Sequence, residues 1–178
     1  MISVSAAIAA HGRENILGCI NMDMIGYTQP AQRFPSLESL PGATPPADCV
    51  KLVPANNPVG DFIMVIANTP EIPEGTEPAP CPTADETDSP PVAGSRGLSE
   101  SFRCAAMNYV PDLPVVENLV RGDGRCFSTN RRSDHANFWD EGLPAVHITD
   151  TSEFRSGNAY YHSPRDTPCI LDYPFLRK

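Results

Sequence analysis

Residues Arg132 to Asp166 read RSDHANFWDEGLPAVHITDTSEFRSGNAYYHSPRD, and the rest of the chain is read outward from them. The stretch holds three of the four histidines and the only tryptophan, and it closes on Tyr-Tyr-His followed by Ser-Pro-Arg-Asp. Ser133 or Asp134 can cap a short helix over Ala136 to Glu141, because an oxygen there accepts from free helical N–H groups. Gly142 stops that helix. Pro144 opens an apolar run, Ala145 to Ile148, with the length and β-branching of a buried strand. After Asp150, Thr151 to Asn158 has no hydrophobic period, and Ser156, Gly157 and Asn158 favour turns, which predicts a loop. That loop delivers Tyr160, Tyr161 and His162 to the C-terminal edge of a strand, where open α/β sheets hold ligands.

Upstream, Leu17 to Ile25 (LGCINMDMI) is a near-continuous apolar run, predicted as a strand buried on both faces. Asp23 interrupts it. A buried carboxylate is costly unless paired or coordinating a metal, so Asp23 is either a ligand or a strand-end residue that bonds a loop or caps a helix. Ser3 to Glu14 is Ala-rich and predicts a helix that frays at Gly12, with nothing before it to pack against. Thr28 to Ala93 contains fourteen of the twenty prolines, and Asp61 to Arg96 carries seven acids before its first base, so this region is mostly surface loop. Within it, Asp61 to Thr69 (DFIMVIANT) predicts a strand. The acidic insert at about 70–93 is a solvated loop or a lid over a pocket, since proline removes a donor every few residues.

A helix is predicted from Ser95 or Ser99 to Tyr109, with Leu98, Phe102, Ala105, Ala106 and Tyr109 on one face. Pro114 to Val120 reads as a strand, Gly122 to Arg125 as a turn, and Asp172 as the N-cap of a helix from Tyr173. This alternation predicts an α/β fold, a three-layer αβα sandwich with a largely parallel mixed sheet.

A length of 178 residues suits one domain. A net charge of -9 argues against nucleic acid or an anionic membrane surface as partner, because both need clustered Lys and Arg. No apolar run reaches the length of a membrane span, and the opening residues lack the basic region of a secretory signal. The six cysteines contain no CxxC pair, which excludes a zinc ribbon. Cys19 reads as a small buried hydrophobe, whereas an oxidising compartment would pair Cys49 and Cys81.

SDHANFWDEGLPAVHITDT, followed by FRSGNAYYHSPRDTP, resembles the C-terminal signature of the co-catalytic zinc exopeptidases of the bacterial aminopeptidase S and aminopeptidase Y type. Asn21 to Tyr27, NMDMIGY, resembles the strand of that family whose Asp is a zinc ligand. The resemblance implies a peptidase that removes N-terminal residues from peptides, with two zinc ions as cofactors and a peptide with a free N-terminus as partner. It implies that Asp23 serves one zinc and His162 the other, that the Tyr161 hydroxyl stabilises the tetrahedral oxyanion, and that Asp166 orients the His162 loop or is a simple turn carboxylate. Ser133, Asp134 and His135 fall around the site as donors or pocket residues, with capping open for the first two. As neighbours along the chain they cannot form a nucleophile, base and orienter triad.

The family's His-x-Asp pair and Glu-Glu-x-Gly segment are absent from this sequence. His11 does not match that pattern and reads as an exposed helix histidine, and His147 as a core or edge histidine. Residues 1–178 are therefore expected to be the C-terminal part of a longer catalytic domain, incomplete at both ends and inactive alone, the whole being secreted or periplasmic by analogy. Two other readings stand beside this one: a non-catalytic relative acting as a binding or structural domain, and a glutaminyl cyclase-like acyltransferase, whose relatives carry Trp where Tyr161 stands.

Overall fold

A computed structural model describes residues 3–28, 45–46, 48–54, 62–75, 80–81, 94–150 and 160–178. It contains strands β1 (Cys19–Met22), β2 (Val50–Pro54), β3 (Ile63–Thr69), β4 (Val115–Arg121) and β5 (Ala145–Thr149). The α-helices are α1 (Val4–His11), α2 (Gly94–Tyr109), α3 (His135–Asp140) and α4 (Tyr173–Leu176). The five strands form one open sheet in the order β1-β5-β3-β4-β2. β1 with β5 and β3 with β4 are parallel, while β5 with β3 and β2 with β4 are antiparallel. The sheet is mixed in equal parts, and strand direction reverses between β5 and β3.

Alternation along the strands sends side chains to two helical layers. Met64, Ile66, Val116, Val120 and Ala145 meet Phe127 and Trp139 on the α3 side. Ile63, Val65, Ala67, Val115, Leu119, Val146 and Ile148 meet Ala106 of α2 and Phe175 of α4 on the other. These layers make the expected sandwich. β2 was not predicted. Its Val-Lys-Leu-Val alternation lies in a Pro-rich region, and a sheet edge tolerates the proline that ends it.

The strand expected over Leu17 to Ile25 is shorter and is not buried on both faces. β1 lies at the end of the sheet order with β5 as its one partner, and Ile20 and Met22 are 58% and 63% exposed. α1, next to it in sequence, buries none of its residues. Cys19 is half-buried and packs against the α3-side core as a free thiol, pushed up first by burial and then by the charge of Asp134. Disulfides join Cys49 to Cys126 and Cys81 to Cys104.

Leu98, Phe102 and Ala106 of the predicted α2 face pack against the core, whereas Ala105 and Tyr109 are exposed and Ser95, Gly97, Ser99 and Arg103 are buried as well. Glu117, buried on β4, accepts from the Ser99 hydroxyl at 2.7 Å and from Arg103 Nε at 3.0 Å. Ser95 accepts from the Ala145 N–H at 3.0 Å and so ties the start of the helix to the start of β5.

A second polar group lies on the α3 side. The Asn118 and Asn130 amides bond reciprocally, and the Asn130 carbonyl accepts from His135 Nε2 at 2.8 Å. The fully buried His135 ring stacks on His147 at 4.9 Å and meets the Trp139 edge at 4.5 Å, while Trp139 donates to the Ala145 carbonyl. Burial, above all, lowers His135 from 6.5 to about 4, with the Asn130 carbonyl opposing, His147 and Arg131 assisting and Asp23 opposing.

Breaking the Arg103 to Glu117 pair from one side leaves an uncompensated buried charge. Glu117→Leu or Arg103→Leu alone is predicted to cost about 3 kcal/mol or more, with much of that recovered in the double variant. Urea unfolding of the three variants checks this; equal losses from single and double variants would sink it. The depressed His135 value stabilises the fold fully above pH 6.5, and that contribution is lost as pH falls toward about 4. The depression corresponds to about 3 kcal/mol. His135→Phe should flatten the pH dependence of unfolding free energy between those limits, and an unchanged slope would refute the assignment.

Candidate functional site

The candidate site begins where β1 ends. Asp23 is exposed just beyond the last strand residue, where its N–H donates to the Ile148 carbonyl at 3.1 Å. One side chain bonds its carboxylate and is itself held by a second. Ser133 Oγ donates to Asp23 Oδ2 at 2.8 Å, and Asn21 Nδ2 donates to Ser133 Oγ at 2.7 Å. His147 stands opposite Asn21 in the β1–β5 register, and its buried Nε2 has no partner among the described residues. Burial lowers the His147 pKa, and the nearby Asp23 charge opposes that shift. Asp23 thus stands at the strand end with one carboxylate oxygen bonded to Ser133, and its other oxygen makes no hydrogen bond among the described residues.

The turn after Asp23 is tightly bound to β5. Met24 takes a left-handed φ of 56°, and its carbonyl accepts from the Asp150 N–H at 2.6 Å and the Thr149 hydroxyl at 3.2 Å. The buried Asp150 carboxylate accepts from the Tyr27 N–H at 2.5 Å. The C-terminal segment docks on the same turn. Asp172 N–H donates to the Gly26 carbonyl at 2.7 Å, and Thr28 donates to the Asp172 carboxylate, which also caps α4 by accepting from the Phe175 N–H. Gly26 is packed so closely against Leu171 and Leu176 that a Cβ would lie 3.0 to 3.2 Å from their side chains.

His162 lies earlier in that C-terminal segment, exposed, at a left-handed φ of 54°. Its ring stacks on the half-buried Tyr161 at 3.9 Å. Asp166 is exposed in the following turn, where its N–H donates to the Ser163 carbonyl and its carboxylate bonds no ligand loop among the described residues. Asp134 is exposed and occupies the N-cap of α3 without a side-chain capping bond, while the Ser133 hydroxyl is committed to Asp23. The loop expected at Thr151 to Asn158 and most of the acidic insert lie outside the described residues.

The structure therefore gathers Asp23, Ser133 and Asn21 beside the stacked His135 and His147, and it docks residues 171–176, which follow Tyr161 and His162 in the chain, on the turn after Asp23. Asn21 and Asp150 were not foreseen as site residues. Asn21 shares a strand face with Asp23, which alternation could have shown, whereas Asp150 reaches Tyr27 only through the pairing of β1 with β5. For zinc, Asp23 and His162 fit in kind, as accessible oxygen and nitrogen donors. Among the described residues no group of three or more His, Cys, Asp or Glu is placed to hold a metal, so these residues by themselves do not make up a zinc site. Nor is any helix among these residues long and apolar enough to cross a membrane.

No protein-family model and no solved structure matches the chain. It is similar over 41 residues, at 49% identity, to the uncharacterized protein YfbL of Escherichia coli (strain K12), a match covering 23% of this chain and 12% of that protein.

Proposed function

We propose that this chain is part of a zinc-dependent exopeptidase that removes residues from the free N-terminus of peptides. One observation carries the reading. Among the described residues the non-glycine positions with positive φ are Met24, which adjoins the candidate ligand Asp23, and His162, the other candidate ligand. Left-handed backbone at a side-chain-bearing residue costs on the order of 1 kcal/mol or more and persists where the surroundings impose it, as functional sites do. At Met24 the surroundings are visible, since its carbonyl is held by two donors from the end of β5.

In this reading Asp23 holds one zinc and His162 the other. The remaining parts would be a His-x-Asp pair, whose Asp bridges the metals, and a Glu-Glu-x-Gly segment supplying the general base and a further ligand, neither of which is in residues 1–178. Bound zinc supplies an activated water and polarises the scissile carbonyl. The chain's own residues orient and donate: Ser133 fixes the Asp23 carboxylate, and Tyr161, stacked on His162, donates to the oxyanion. The Cys49–Cys126 and Cys81–Cys104 disulfides suit the oxidising space of a secreted or periplasmic enzyme.

The test uses the protein expressed from its complete reading frame. It is expected to bind two zinc ions and to hydrolyse an aminoacyl anilide without cyclising an N-terminal glutamine. Tyr161→Phe should lower kcat about a hundredfold with little change in KM, as for loss of one oxyanion donor. Asp23→Ala and His162→Ala should each remove zinc. A fully zinc-loaded protein that leaves the anilide intact would refute the peptidase reading, and cyclisation would point to the acyltransferase instead.

A further inference from the structure

We propose that the Cys81–Cys104 disulfide is a thiol-exchange site, at which a small thiol such as glutathione becomes bound to Cys104 while Cys81 departs as a thiolate held by Arg103. The bond joins residue 81, in the acidic insert, to α2. Both cysteines are half-buried rather than part of the core. Arg103 distinguishes their two sulfurs. It precedes Cys104 on α2 yet donates to the other partner, its Nη1 lying 3.2 Å from Cys81 Sγ. Met107 Sδ stands 3.4 Å from the same nitrogen and 3.7 Å from Cys81 Sγ. Disulfide and thioether sulfur accept only weakly. A thiolate at Cys81 converts this contact into a charge-assisted bond, roughly twice as strong as a neutral one.

Glu117 is the counterweight. It takes Arg103 Nε at 3.0 Å, but its carboxylate also accepts from the Ser99 hydroxyl at 2.7 Å, and Nη1 is a separate donor with its own direction. The buried pair holds the guanidinium in place, so little has to reorganise when charge forms on the neighbouring sulfur. Exchange is faster when the leaving thiol is a weaker base, and a cation beside a sulfur makes it one. The second bridge has the opposite surroundings. Cys49 is fully buried in the α3-side core, which disfavours a thiolate, and Cys126 Sγ lies 3.8 Å from the carbonyl oxygens of Cys49 and Arg121. Those oxygens present the negative ends of their dipoles to it. Of the two bridges, Cys81–Cys104 is therefore the one built to open, and Cys81 the sulfur built to leave.

In the exchange step the incoming thiolate attacks Cys104 Sγ in line with the bridge. Its sulfur is oxidised as the new bond to Cys104 forms. The bonding pair of the old bridge passes to Cys81, which is reduced to a thiolate beside Arg103 Nη1, and the proton of the incoming thiol remains in solvent. A second thiol, attacking the glutathione sulfur of the mixed disulfide, releases Cys104 and yields glutathione disulfide, so two thiols supply the two electrons of complete reduction.

The test starts from the oxidised protein with its free thiols, Cys19 and Cys169, blocked by iodoacetamide. Reduced glutathione is added at neutral pH, the reaction is quenched at short times with N-ethylmaleimide, and the peptides are mapped by mass spectrometry. Glutathione is expected on Cys104 and maleimide on Cys81, with Cys49–Cys126 intact. In Arg103→Leu/Glu117→Leu, which removes the cation together with its buried partner, exchange should slow about tenfold and glutathione should appear on both cysteines. If that variant does not fold, Cys104→Ser leaves Cys81 beside Arg103, and iodoacetamide should alkylate Cys81 about threefold faster in the folded protein than in urea. Glutathione first on Cys81, earlier opening of Cys49–Cys126, or a folded double variant that reacts at the parent rate and on Cys104 alone would overturn the proposal. So would Cys81 in Cys104→Ser reacting no faster folded than in urea.

Discussion

β5 is hydrogen-bonded along both edges, parallel to β1 on one side and antiparallel to β3 on the other, and the rest of the structure depends on that double pairing. Its five residues are all buried. Val146 and Ile148 fill the α2-side core, while Ala145 joins the α3-side core and His147 faces the same way toward His135. Its last residue, with Asp150 just beyond, secures the turn that follows Asp23. Without β5 there would be no partner for β1 and no support for the candidate site.

Polar groups do much of the joining between layers. α2 meets the sheet through Arg103, Ser99 and Glu117, and the α3 region meets it through Asn130, Asn118 and the two histidines. Apolar surface alone would let either helix slide or turn, because the hydrophobic effect is non-directional. Directed bonds to buried partners select one register. The consequence at the site is that Ser133, on the lead-in to α3, arrives within hydrogen-bond distance of Asp23 on a different element.

The apolar flank of β1 contrasts with this tight core. Leu17, Ile20 and Met22 are exposed beside an open strand edge, and α1 buries nothing against them. Such an edge presents backbone donors and acceptors in a row and is the least satisfied part of the sheet among the described residues. Asp23 follows directly from it, so the site lies at the margin of the sheet rather than over its middle.

The element types were legible locally because each is written in short-range chemistry. The Asp172 cap, the Gly142 stop, the apolar run of β5 and the alternating apolar positions of β3 and β4 need no distant partner to be recognised. The interrupted apolar run singled out Asp23, but it was the end of β1 at Met22 that placed Asp23 at a strand end. What tertiary structure alone decided was which residues meet. The reversal of direction at β3, the edge position of β1, the burial of Ser99 and Arg103 of α2 against Glu117, and the gathering of Asn21 and Ser133 at Asp23 all depend on contacts between residues far apart in sequence. Local propensity acts over a few residues, whereas strand order and buried polar pairing are chosen by the free energy of the whole packed core, which no single segment contains.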